Sequence, residues 1–69
     1  MIGVFKTNVQ KKKDARQLLK NLQAFFPTGR INFDLQDCDK ILRVELVDYE
    51  AARIIDIINE CGFICVELD

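Results

Sequence analysis

Sixty-nine residues, 49% of them hydrophobic and 30% charged, are expected to form one core with no room among them for a second, and are neither disordered nor fibrous in composition. Histidine, serine and tryptophan are absent, which removes histidine bases, histidine metal ligands and serine nucleophiles; the three cysteines, Cys38, Cys61 and Cys65, do not make a disulfide framework. The net charge of -1 conceals two unlike halves: residues 1–30 carry seven Lys or Arg against Asp14 alone, for +6, and residues 31–69 carry three basic against ten acidic residues, for -7.

Residues 1–7 are rich in β-formers and read as a strand. Asn8 then suits a helix N-cap. Apolar residues at 15, 18, 19, 22, 25 and 26 recur at helical spacing and give the following helix one apolar face. Pro27 and Gly29 stop it. Ile31, Phe33 and Leu35 alternate with Asn32, Asp34 and Gln36, the mark of a half-buried strand. Residues 37–40 are polar enough for a hairpin turn, and Leu42, Val44 and Leu46 alternate with charge in a further strand. Asp48 suits the cap of a second helix, whose apolar face is Ala51, Ile54, Ile55, Ile58 and Cys61. Gly62 is placed as its C-terminal glycine, and Phe63 to Leu68 make the last strand.

The order strand, helix, strand, strand, helix, strand predicts a single α+β domain over residues 1–69. Its expected fold is a ferredoxin-like βαββαβ: four antiparallel strands in one sheet, with two right-handed crossovers placing both helices on one face. Strands one and three should be central. Leu18, Leu22, Ile31, Phe33, Leu42, Val44, Ile54 and Ile58 are the expected core. The face turned away from the helices should be mostly polar, with Asn32, Asp34, Arg43 and Glu45, while Val4, Val47 and Ile64 add an apolar strip that permits sheet-to-sheet dimerisation. The connections at 7–13, 36–40 and 61–63 should meet at one pole, gathering Lys11, Lys12, Lys13, Cys38 and Cys61.

Layout, length and the ending Ile57-Ile58-Asn59-Glu60-Cys61-Gly62-Phe63 resemble the heavy-metal-associated domains, the small copper-chaperone-like modules. That family carries Met-x-Cys-x-x-Cys between its first strand and first helix. Here Val9 stands at the methionine position, Lys11 at the first cysteine and Asp14 at the second, while Ala15, Leu18 and Leu22 fit the family's helix. The resemblance therefore implies the fold without its metal motif. Cu(I) requires thiolates, and three adjacent lysines repel cations. No cofactor and no metal ligand set is expected at the usual place.

Two other sites remain open. Lys11, Lys12 and Lys13 precede a helix N-terminus and either contact an anion or partner or point into water. Cys38 and Cys61 are candidates for a relocated thiol metal site, against the plainer reading of inert cysteines. Nucleic-acid binding is not expected. The third strand lacks the stacking aromatics of RNA-recognition sheets, and the pI is about 5.3. Val9-Gln10 echoes the first loop of acylphosphatases, but Lys11 to Asp14 replaces the glycine and arginine of that cradle.

No apolar run approaches the ~20 residues of a spanning helix, and no secretory leader is read. The expectation is a cytoplasmic, non-enzymatic binding or interaction module, whose partner is an unidentified protein or a second copy in a weak homodimer. The alternative is an anion- or small-ligand-responsive regulatory domain of the same topology.

Overall fold

A computed structural model describes residues 2–36, 38, 40–47 and 50–68. Among these residues the chain forms β1 (Ile2–Thr7), α1 (Lys12–Phe25), β2 (Arg30–Asp34), β3 (Ile41–Glu45), α2 (Ala51–Glu60) and β4 (Cys65–Leu68). The strands make one antiparallel sheet in the order β2-β3-β1-β4, so β1 and β3 are central. This is the α+β, ferredoxin-like βαββαβ arrangement that the alternation of periods two and 3.6 requires. No described helix is long and apolar enough to cross a membrane.

The core lies between the sheet and both helices. Phe5, Leu42 and Val44 rise from the sheet to meet Leu18 and Leu22 of α1 and Ile54 and Ile58 of α2. Seven of the eight residues expected in the core are buried; Phe33 is only half-buried, because β2 is the outer strand and α1 covers it incompletely. Phe5 and Val9, fully buried, join them, as do Ala15, Leu46, Ile57 and Cys65.

Helix boundaries depart from the local signals. Asn8 is not the N-cap of α1. Lys11 holds that position in extended conformation without a side-chain cap, and the first bond of the helix runs from Ala15 N–H to the Lys11 carbonyl at 3.0 Å. Phe25, spaced for the apolar face, is exposed at the helix end, with the Arg53 guanidinium 5.7 Å from its ring centre. The expected cap Asp48 lies outside the described residues, as do Asp37 and Asp39 of the hairpin turn, and Glu50 holds the N-cap of α2.

Gly62 ends α2 as expected. Its φ of +91° lets its N–H reach the Asn59 carbonyl (3.0 Å) while Phe63 N–H reaches Ile58 (3.2 Å), the paired bonds of a Schellman turn. Cys61, expected on the buried helix face, is exposed, because α2 closes at Glu60 and the chain turns. Cys65 is the buried thiol. The last strand is shorter than Phe63 to Leu68, starting at Cys65 where pairing with Thr7 begins.

Candidate functional site

Three connections meet where β1 ends, and two side chains fasten them. Thr7 falls on the inward parity of β1 with Gly3 and Phe5, so its hydroxyl is buried and must find partners. It donates to the Lys40 carbonyl at 2.6 Å and accepts from Val9 N–H at 3.3 Å. Asn8 turns the other way, and its Oδ1 accepts from Ile64 N–H at 2.8 Å. The β1–α1 loop is thereby tied to the β2–β3 hairpin on one side and to the α2–β4 turn on the other. Lys40, with a φ of 50°, is held in the left-handed region, and its Nζ donates to the Leu35 carbonyl at 3.0 Å. Neither tie is marked by a motif; the signal for Thr7 is its parity alone.

The three lysines do not converge. Lys11, Lys12 and Lys13 are all exposed. Lys12 faces a hollow between α1 and the β2 edge, whereas Lys13 belongs to an adjoining stripe with Gln17 and Lys20, and Arg16 stands between the two. Successive helical residues point ~100° apart, so a triplet across a helix start is divided between faces.

The thiols are also dispersed. Cys38 is exposed in the β2–β3 hairpin. Cys61 Sγ accepts from Asn21 Nδ2 at 3.3 Å, on the side of α1. Among the described residues no group of three or more Cys, Asp or Glu is gathered as a metal cage. Burial pushes the Cys65 thiol up from 9.0 to about 11, so it is a poor thiolate source.

The open face of the sheet is divided. Its rows, read across β2-β3-β1-β4, are Arg30–Glu45–Ile2, then Asn32–Arg43–Val4–Leu68, then Asp34–Ile41–Lys6–Val66. The β2 and β3 side is largely charged, with Arg43 and Asp34 3.7 Å apart. The β1 and β4 side carries Ile2, Val66 and Leu68, exposed by 68%, 52% and 39%, beside half-buried Val4. Ile64, 61% exposed, lies two residues before Val66. Val47, placed in the strip by its parity, is 90% exposed just beyond β3.

Comparison of the chain with protein-family models, with curated protein sequences and with solved structures finds no match.

Proposed function

We propose that this domain is a small non-enzymatic interaction module, similar in layout to the heavy-metal-associated domains, in which Lys11 and Asp14 stand at the metal-ligand positions of the first loop and the binding surface is the open face of the sheet. The observation that carries the reading is the apolar strip of Ile2, Val4, Ile64, Val66 and Leu68 along β1 and the β4 edge. Exposed apolar side chains contiguous across two strands mark an association surface more often than scattered ones do. The free cysteines fit a reducing cytoplasm.

The occupant is a second copy of the chain. The strip lies at one edge of the sheet, with the charged strands on its other side. A two-fold axis running along the strands stacks strip on strip. The β2 and β3 halves then overhang the partner's β4 edge and stay in water. Arg43 and Asp34 keep their hydration, so the desolvation that penalises buried charges is avoided. Lys6, between Ile41 and Val66, has a stem long enough to lie along apolar surface with its ammonium outside. So few side chains bury less than the ~1,600 Å² of a standard stable interface, so the dimer is weak and concentration-dependent.

Sedimentation at increasing protein concentration, in low and high salt, tests this. The expected result is a dimer that persists at high salt and is lost in Val66→Glu, which places a charge in the strip at an exposed edge position opposite Lys6, where no like charge faces it. Association driven instead by the +6 and -7 halves weakens as salt shortens the Debye length to below ~8 Å. A strictly monomeric species at high concentration in both buffers would sink the proposal.

A further inference from the structure

At the opposite edge of the sheet, an open hollow of about 600 Å³ lies between α1 and the β2 edge. Its apolar wall is Ala15 and Leu19 from the helix with Phe33 and Leu35 from the strand side. Alternation directs Phe33 and Leu35 toward the helices, yet both remain half-buried, since α1 does not extend over them. An aromatic ring aimed at the core side and left without a full cover is unusual for so small a domain, where apolar area is scarce.

The rim is cationic. Lys12 and Arg16, one turn apart on α1, stand on the helix side with no ion pair among the described residues. Lys12 and Arg16 are the cations on its helix side, while Arg43 and the single carboxylate, that of Asp34, line it from the open face of the sheet, round the β2 edge. Asp34 is already engaged: Oδ2 lies 3.7 Å from Arg43 Nη1 and Oδ1 accepts from Gln36 N–H at 3.2 Å. The field of the first, uncapped turn of α1 adds to the same sign. Because β2 is an edge strand, alternate backbone N–H groups along it have no strand partner.

We propose that this hollow is a binding site for a small amphipathic carboxylate, whose apolar body lies against Phe33, Leu35 and Leu19 and whose carboxylate lies between Lys12 and Arg16. The volume falls within the ~300–1,000 Å³ of small-molecule clefts, which are apolar with a few placed polar groups. A guanidinium fork matches a carboxylate in two parallel bonds, and a neighbouring ammonium adds a point charge. The site is independent of the strip on β1 and β4, so either can fail without the other.

The test is a ¹H–¹⁵N titration of the full chain with 4-phenylbutyrate, with neutral 4-phenylbutanamide and inorganic phosphate as comparison probes. The expected result is a saturable shift of amides in 12–19 and 32–36 by the carboxylate, with the neutral amide binding more than about tenfold weaker. Lys12→Gln and Arg16→Gln each weaken binding by about five- to tenfold, while Lys20→Gln, one turn beyond Arg16 and outside the lining of the hollow, leaves it unchanged. All three positions are exposed, so the variants keep dispersed spectra that report folding directly. Four outcomes overturn the proposal: no saturable shift in those segments, equal binding of the neutral probe, phosphate binding as well as the carboxylate, or shifts along all of β2 produced by an acidic extended peptide and not by the small molecule.

Discussion

The hydroxyl of Thr7 donates to the carbonyl oxygen of Lys40 across 2.6 Å, bridging 33 positions of sequence. Through this bond the end of a central strand holds the close of the hairpin that joins β2 to β3. The same oxygen accepts from Val9 N–H, and Val9 is completely buried beneath the loop. The segment that would carry metal in a copper-chaperone-like domain is therefore anchored here by the Thr7 hydroxyl, the Asn8 side-chain oxygen and one apolar plug, and its lysines stay outside.

Replacing that hydroxyl isolates its contribution. Thr7→Val keeps shape and volume but leaves the Lys40 carbonyl and the Val9 amide without their partner. The expected cost is about 1–3 kcal/mol, a large share of a small domain's stability. Thr7→Ser, which keeps the oxygen, should recover most of the hydrogen-bond part. Urea midpoints for the two variants check this, and a Thr7→Val midpoint equal to that of the parent would contradict the role of the bond.

Cys65 makes stability depend on alkaline pH. Its folded-state thiol ionises at about 11 against 9.0 for an ordinary thiol, because burial disfavours the anion. The folded chain thus holds this proton more tightly than the unfolded chain. Its contribution is fully present below the unfolded value of 9.0 and is lost as pH rises through about 11. Urea unfolding across that window should show a steeper decline in the parent than in Cys65→Val, which removes the titration and leaves the other groups in place. Thiol labelling at mild pH should find Cys38 and Cys61 fast and Cys65 slow. Parallel pH profiles of parent and variant would rule the linkage out.

Much of this fold was legible because its signals are periodic. Ile31, Leu42 and Val44 alternate with charge, and Leu18, Leu22, Ile54 and Ile58 recur at helical spacing, so strands, helices and core follow from burial alone. The loops were less legible. Asn8 has the chemistry of an N-cap, but its side-chain oxygen Oδ1 is taken by Ile64 N–H, 56 positions away, and the helix starts later at an uncapped lysine. A tertiary hydrogen bond had overridden a local preference. Phe33 reads as core by parity, yet its exposure is decided by how far α1 reaches over an edge strand, which no local pattern encodes. The lysine triplet reads as one cluster, and helical geometry divides it.

The first loop should not retain copper. Lys11 and Asp14 stand where the resemblance places two thiolates, and the described residues gather no alternative cage. In competition with a Cu(I) chelator the chelator should therefore keep the metal. Stoichiometric capture by the protein, abolished by Cys38→Ser or Cys61→Ser, would establish a relocated thiol site instead.

Two glycines should respond to alanine for different reasons. Gly62 needs its positive φ of 91°, but a methyl group there would meet nothing within 4 Å. Gly62→Ala should therefore cost about 1–2 kcal/mol, the penalty of the left-handed region for an L-residue. Gly29 lies beside the core: an added Cβ would run into Cδ2 of Leu46 and come within 3.4 Å of the Glu45 carbonyl oxygen. Leu46 is itself buried in the core, so it can withdraw only by giving up part of that packing. Gly29→Ala should cost about 1–3 kcal/mol through overpacking. A double-mutant cycle separates the two mechanisms. In a Leu46→Ala background the penalty at Gly29 should shrink markedly, because the obstructing methyl is gone, while the penalty at Gly62 should be unchanged. Equal costs of Gly29→Ala in both backgrounds would show that the close approach to Leu46 does not control that position.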